Sequence, residues 1–171
     1  MPMSAPEPVH RSVTVPADID RAFQTFVDGI DRWWPVQNSI TQAPQARVTI
    51  EPHVGGRWYE ESVDGEQCDW GAVLAWDPPH RLVLAWQLQT AIPGITAGSL
   101  CHGFWQYDPR MRTEVELRFT DLGPRLTKVD LEHRHLERFT YPEPARFHLD
   151  DGTGGWPGLL DRYAQATLTT A

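Results

Sequence analysis

His133 and Glu60 are the two side chains in this sequence whose placement best suits acid–base chemistry. His133 closes the alternating run "LTKVDLEH", in which it shares one face with Val129 and Leu131. An inward imidazole can hydrogen-bond a ligand or exchange a proton near neutral pH. Glu60 falls on the same strand face as Trp58, and an inward carboxylate, costly to bury unless it is paired, is a candidate general base. The structural alternatives are a histidine satisfied by a backbone group or a helix end, and a glutamate on an exposed strand face.

Tryptophan is the other residue type that suits a binding site, because its ring is apolar and its N–H needs a partner. The sequence holds eight tryptophans in 171 residues. Most are expected to fill the core, and the alternative is that Trp86 and one of the adjacent pair Trp33 and Trp34 line a ligand cavity. The side chains predicted to contact a ligand are Trp33, Trp34, Trp58, Trp86, Val115, Leu117, Phe119, His133 and Trp156.

The stretch "DRWWP" places Trp33 and Trp34 at the end of a short predicted helix that Pro35 stops. Neighbouring residues on a helix point about 100° apart, so the two rings cannot face the same way. We expect one ring to pack in the core and the other to lie toward the cavity mouth as a lid.

The sequence contains no arrangement typical of a metal or cofactor site. His133 and His135 form a His-x-His pair, but zinc needs further ligands, and nothing fixes the distance to Cys68, Cys101 or His102. The GxSxG, Walker, Rossmann and HExxH motifs are all missing. We therefore expect neither a metal nor a cofactor.

Composition and charge narrow the classes of partner. The net charge is −8, without a basic run, which argues against nucleic acid and against an anionic membrane surface. No apolar run approaches the roughly 20 residues of a membrane-spanning helix, and the first residues do not resemble a secretory signal. We expect a cytoplasmic protein, monomeric or homodimeric, with Cys68 and Cys101 reduced, while a disulfide between them is the open alternative.

The hydropathy pattern indicates an α+β fold, with a flexible arm over residues 1–8 and a single domain over 9–171. Residues 9–15 alternate as a strand, two short helices follow Pro16, and period-two runs predict antiparallel strands up to His133. Residues 91–111 are ambiguous between strand and loop, and residues 136–154 are expected to be loop. Residues 154–168 carry the best amphipathic helix. A twisted sheet that buries its apolar face on this helix leaves space for a small-molecule site.

Five stretches, in this order along the chain, make the sequence resemble the START-like, helix-grip (SRPBCC) superfamily. Within it the sequence is similar to the branch named for the activator of heat-shock protein 90 ATPase homologue. The stretches are "VPADIDRAFQTFVDGIDRWWP" (15–35), "EPHVGGRWYEESVDG" (51–65), "VLAWDPPHRLVLAWQ" (73–87), "TEVELRFTDLGPRLTKVDLEH" (113–133) and "GGWPGLLDRYAQ" (154–165).

The resemblance implies a START and Bet v-like fold, in which a curved antiparallel sheet wraps around a long C-terminal helix with a cavity between them. It also implies three alternative functions. The leading hypothesis is a binding protein for a small hydrophobic or aromatic ligand. The second is an enzyme similar to polyketide cyclases and aromatases, with His133 and Glu60 as acid–base groups. The third is an interaction protein similar to activators of a chaperone ATPase.

Overall fold

A curved antiparallel sheet dominates the computed structural model, which describes residues 6–35, 40, 44–90, 105–152 and 154–168. The strands are β1 (Val9–Val15), β2 (Gln45–Ile50), β3 (Arg57–Ser62), β4 (Gln67–Asp77), β5 (Arg81–Trp86), β6 (Leu88–Gln89), β7 (Gln106–Tyr107), β8 (Thr113–Gly123) and β9 (Leu126–Arg134). Strands β6 and β7 pair with each other, and the other seven form one sheet in the order β1-β9-β8-β5-β4-β3-β2. Every pairing is antiparallel, as the run of alternating segments predicts.

The helices lie on the inner side of this sheet. They are α1 (Ile19–Val27), α2 (Ile30–Trp33), α3 (Pro142–Leu149) and α4 (Trp156–Leu168). Helix α4 packs against β1, α1 and α2, and the Tyr163 hydroxyl donates a 2.6 Å hydrogen bond to the Ala22 carbonyl oxygen. None of the helices within the described ranges is long and apolar enough to cross a membrane. The architecture confirms the predicted helix-grip α+β fold.

The first helix begins where its sequence provides a cap. The Asp18 carboxylate accepts a hydrogen bond from the Arg21 backbone N–H at 2.8 Å, which satisfies one of the free donors of the first turn. Its apolar stripe, with Phe23 and Phe26, packs against Phe119 of β8 at ring-centroid distances of 5.1 and 6.2 Å. The apolar stripe of α1 therefore packs against the inner face of the sheet at β8.

One expectation about local structure needs correction. Residues 136–154 are not all loop, because α3 forms there with Pro142 in its first turn, where proline's missing N–H costs little. Near the predicted arm, the Glu7 carbonyl oxygen accepts a 2.8 Å hydrogen bond from Arg146 of α3.

The structure describes the ambiguous segment from residue 105 onward. Residues 91–104 lie outside the described residues, and with them Cys101 and the question of its pairing with Cys68. The described remainder contains the short strand β7, which pairs with β6.

The outer face of the sheet carries an ion-pair network centred on Glu116. Its carboxylate contacts Arg81 of β5, Arg134 of β9 at 2.6 Å and Arg118 at 3.0 Å, although its side chain is only 8% exposed. Arg134 also reaches Glu114, at 2.9 Å. Burial raises the pKa of Glu116, but hydrogen bonds from Arg81 and Arg134 outweigh burial and hold the pKa below the ordinary value of 4.5.

Replacing Glu116 by glutamine is expected to lower the free energy of unfolding by roughly 1–3 kcal/mol at neutral pH, because three arginines lose their buried acceptor. Because the folded-state pKa is lowered, the native protein loses this contribution as pH falls below about 4.5. Urea denaturation of the two proteins at neutral and acidic pH measures the difference. Equal stability at neutral pH would show that the network contributes nothing, and Glu132→Gln, at an exposed neighbouring carboxylate, is the control.

Candidate functional site

The space that the sequence predicts between the sheet and α4 is filled by tryptophan rings. We name six of them the tryptophan cluster: Trp34, Trp58, Trp70, Trp86, Trp105 and Trp156. Trp34 lies at its centre, with ring centroids 5.0 Å from Trp70, 5.9 Å from Trp58 and 6.2 Å from Trp156. Most of the contacts are edge-to-face, which is the arrangement that the quadrupoles of aromatic rings favour.

Three neighbouring strands supply half of the cluster. Trp58 of β3, Trp70 of β4 and Trp86 of β5 all point to the inner face. A register shift in the β3–β4 pairing leaves Trp70 between the paired positions Asp69 and Gly71, as an extra residue on β4. Such irregularities re-aim side chains, and here Trp70 and its neighbour Gly71 are both buried. The alternation of the sequence alone does not predict this shift.

A narrow crevice runs into the cluster from the surface. Its volume is about 20 Å³, room for about one water molecule. The described residues that line it are Trp34, Trp70, Trp86, Trp105, His148, Leu149, Gly154, Gly155, Trp156 and Leu159. Among the described residues, indole rings occupy much of the space between sheet and helix around this crevice, and the larger cavity expected from the sequence stays a prediction.

The crevice opens where α3 ends and α4 begins. A Cβ on Gly155 would lie 2.5 Å from the carbonyl oxygens of His148 and Leu149, so glycine lets the two helices approach closely at this point. Gly154 is exposed, and a Cβ there would have nothing within 4 Å. Gly154 therefore borders the mouth of the crevice without being packed against other residues.

His133 is completely buried below the cluster and both its ring nitrogens are engaged. Nδ1 accepts a 3.0 Å hydrogen bond from the Trp156 indole N–H, so the proton of the neutral ring is on Nε2. Nε2 then donates to the Thr113 hydroxyl at 2.7 Å, and that hydroxyl donates to the Trp86 carbonyl oxygen at 3.2 Å. Burial lowers the pKa of His133 to about 3, which keeps the ring neutral.

Glu60 is also completely buried, which rules out the exposed strand face considered from the sequence. Its Oε1 accepts the Trp70 indole N–H at 2.9 Å and the Ile40 backbone N–H at 2.6 Å. Glu60 and His133 lie on β3 and β9, four strand spacings apart, or roughly 19 Å along the sheet. The structure does not bring them together as an acid–base pair, and each instead fixes a tryptophan of the cluster.

The adjacent tryptophans of "DRWWP" point in different directions. Trp33 packs on Phe26 and Tyr163, with ring centroids at 5.0 and 5.7 Å, and its N–H donates to the Thr25 carbonyl oxygen. Trp34 lines the crevice, but it is only 4% exposed. It lies inside the crevice and not across the mouth, so the lid expected from the sequence is not what the structure places there.

The other side chains predicted to contact a ligand also divide between the crevice and the core. Trp86 and Trp156 line the crevice, whereas Trp58 packs one ring further in. The remaining predicted contacts, Val115, Leu117 and Phe119, are buried in the core and do not line the crevice. The contributions of α3 and of the residues that lead into α4 were not predicted, since that segment of the sequence carries no strong periodicity.

His135 does not continue the face of His133. Strand β9 ends at Arg134, and His135 has a left-handed φ of 66°, with its ring 3.8 Å from Glu114. The two histidines of the His-x-His pair therefore do not share one strand face. In the part of the chain that the structure describes, no group of three or more His, Cys, Asp or Glu side chains could hold a metal ion.

Among the described residues, two larger clefts lie on the surface, and their linings contain none of the predicted site residues. One, of about 340 Å³, is lined by polar residues of α1 and α2 that include Arg21, Asp28 and Arg32. The other, of about 400 Å³, lies between the start of α1 and the end of α4. Neither has the aromatic lining of the crevice, which makes the crevice the candidate site.

Comparison with known proteins identifies a matching family and similar solved structures. The sequence profile described as activator of Hsp90 ATPase homolog 1-like protein matches residues 16–167. A solved anthrahydroquino-γ-pyrone synthase is 31% identical, over 95% of this chain and 97% of that one, with a TM-score of 0.63. CalC, a self-sacrificing resistance protein from Micromonospora echinospora, is 30% identical over 94% of both chains, with a TM-score of 0.64.

A protein from Nitrosomonas europaea shares the fold alone, with a TM-score of 0.62 at 11% identity over 98% of both chains. A search of curated protein sequences finds no significant match. The profile match covers most of the chain, and the two solved relatives at 30% and 31% identity align over nearly all of it. The chain therefore belongs to the family of activator of Hsp90 ATPase homolog 1-like proteins, within the helix-grip superfamily.

Proposed function

We propose that this protein binds a flat aromatic small molecule among the rings of the tryptophan cluster. The observation that carries the proposal is the crevice, in which five indole rings converge below a mouth bordered by Gly154. Aromatic edges and faces at stacking distance suit a planar ligand, because the ligand replaces ring–ring contacts by equivalent ones.

A ligand of this class needs more space than the crevice provides. The crevice holds about 20 Å³, whereas small-molecule sites commonly enclose roughly 300–1,000 Å³. The connection from α3 to α4 borders the crevice and contains Gly152, Gly154 and Gly155. Outward movement of this connection and rotation of the cluster rings would open the site, so binding is coupled to a change in tryptophan environment.

The solved relatives support a ligand of this class. The synthase at 31% identity is named for an anthrahydroquino-γ-pyrone, which is a polycyclic aromatic product. The family relationship covers the strands and the terminal helix that build the crevice. For this chain the ligand class remains the proposal, and the crevice geometry is its main support.

Fluorene, a flat tricyclic hydrocarbon, is a suitable first probe. We expect saturable binding of one fluorene per chain in equilibrium dialysis, and a loss of affinity of about tenfold or more in Gly154→Phe. The phenylalanine would occupy open space at the mouth without backbone strain. Gly152→Phe is the matched control, because Gly152 is equally open but does not line the crevice. No saturable binding, or equal loss in both variants, would contradict the proposed site.

A synthase or cyclase activity is the second candidate, favoured by the 31% identity to the solved synthase. The separation of His133 from Glu60 argues against a joint acid–base role. Each of the two side chains also already accepts a hydrogen bond from a tryptophan N–H group. Incubation with a polyketide-derived hydroquinone, followed by mass spectrometry, tests it. Turnover that disappears in Glu60→Gln while fluorene binding persists would favour catalysis over simple binding.

A further inference from the structure

The buried tryptophans of this protein do not all find a hydrogen-bond acceptor. Four indole N–H groups donate to protein atoms at 2.9–3.1 Å. These are Trp33 to the Thr25 carbonyl, Trp70 to Glu60, Trp86 to the Leu88 carbonyl and Trp156 to His133. The fold thus provides acceptors for indole groups even where this requires a buried carboxylate or imidazole.

Trp34 and Trp58 are the exceptions among the buried tryptophans that the structure describes. Their side chains are 4% and 1% exposed, and each indole N–H is buried without a hydrogen-bond partner. The two rings are neighbours, with centroids 5.9 Å apart, and Trp34 lines the crevice. Because a buried donor left without an acceptor is destabilising, two of them side by side at a candidate site call for a specific explanation.

We propose that the bound ligand carries an uncharged oxygen acceptor, a ketone or quinone carbonyl, that accepts the Trp34 indole N–H. This inference rests on the function proposed above and specifies its ligand. An indole N–H is a donor only, so its partner must be an acceptor. A carbonyl oxygen on a planar ring system lies in the ring plane, where an edge-on indole N–H can reach it.

The lining of the crevice argues for a neutral acceptor over a carboxylate or phosphate. No Lys or Arg is present among the described residues that line it. Transfer of an anion into such surroundings would leave a charge without a counter-ion, which is far more costly than transfer of a ketone. The net charge of −8 adds unfavourable long-range repulsion for an anion.

Comparison of 9-fluorenone with fluorene tests this inference, because the two probes share a ring skeleton and differ by one carbonyl. We expect the native protein to bind fluorenone about tenfold more tightly than fluorene in equilibrium dialysis. In Trp34→Phe this ratio should fall to about one, since the phenyl ring has no donor. Loss of ring volume affects both probes alike and cancels in the ratio.

Trp33→Phe is the matched control. It removes the same part of an indole ring from the adjacent residue, but the donor that it removes is already hydrogen-bonded to the Thr25 carbonyl oxygen. The ratio should be unchanged in this variant. In the native protein, the indole proton of Trp34, assigned by nuclear Overhauser contacts, should shift downfield with fluorenone and not with fluorene. This measurement does not depend on the folding of any variant.

The outcomes separate the two proposals. Equal affinity for both probes, with no selective shift of the Trp34 proton, overturns the inferred carbonyl contact and leaves ligand binding in place. Saturable binding of neither probe overturns the proposed binding function, and the carbonyl contact with it. A ratio lowered equally in Trp33→Phe and Trp34→Phe also contradicts the assignment to Trp34.

Discussion

Replacement of His133 by alanine is expected to lower the free energy of unfolding by roughly 3–5 kcal/mol at neutral pH. The change removes a completely buried ring and leaves the Trp156 N–H without its acceptor. It also removes the donor that orients the Thr113 hydroxyl toward the Trp86 carbonyl. The variant would break the hydrogen-bond chain that joins the Trp156 indole N–H, through residue 133 and Thr113, to the Trp86 backbone carbonyl. The tryptophan emission of the folded variant should therefore also change.

The contribution of His133 to the free energy of unfolding depends on pH. Burial lowers its pKa from 6.5 to about 3 in the folded protein, so the unfolded chain takes up a proton at a higher pH than the folded chain does. Protonation therefore favours unfolding as pH falls from about 6.5 to about 3. The linked loss of stability in the native protein is roughly 2–3 kcal/mol at about pH 4.5.

The His133→Ala variant lacks this proton uptake, so its stability difference from the native protein should shrink by the same amount at about pH 4.5. Urea unfolding at both pH values measures this difference. His10→Ala, at an exposed histidine of β1, should leave stability and its pH dependence nearly unchanged. A difference in stability that is constant with pH would contradict a neutral, buried His133.

Gly71→Ala is expected to destabilise the fold by roughly 4 kcal/mol or more, because the change places a methyl group inside the sheet backbone. A Cβ at Gly71 would lie 1.7 Å from the Ala85 carbonyl oxygen and 2.8 Å from its carbon. Gly71 pairs with Trp58 on one side and Trp86 on the other. The strands β4 and β5 would have to separate at the point where they present Trp70 and Trp86 of the cluster.

The measurement is the urea midpoint and the far-ultraviolet circular dichroism of the purified variant. Gly152→Ala serves as the control, because the added methyl group meets nothing within 4 Å. Normal stability of Gly71→Ala would show that β4 and β5 are not in such close contact. It would also remove the physical reason for glycine at this position.

The strands and the terminal helix follow from local patterns that can be recognised in the sequence. The alternation of "TEVELRFT" predicts the inward Val115, Leu117 and Phe119, and all three are buried. The stripe of Trp156, Leu159, Leu160 and Tyr163 predicts the buried face of α4. Both patterns are set by residues a few positions apart, because side chains repeat every two residues in a strand and every 3.6 in a helix.

Helix α3 shows where local patterns stop being sufficient. Its eight residues include two prolines and only two buried residues, Ala145 and Leu149. The prolines are compatible with a helix only because both fall in its first turn. Contacts with the rest of the domain, such as the hydrogen bond from Arg146 to the Glu7 carbonyl, stabilise a segment that composition alone assigns to loop.

The local sequence pattern is enough to establish the fold class and the inward face of His133, and the composition shows an unusual number of tryptophans. What these residues do depends on contacts between elements that are distant in the chain. The tertiary structure places six rings from separate elements in contact around a narrow crevice, and His133 and Glu60 each accept a hydrogen bond from a tryptophan N–H group. The reason is that ring packing and hydrogen-bond partners join strands and helices distant in the chain, including a register shift at Trp70 that no local pattern encodes.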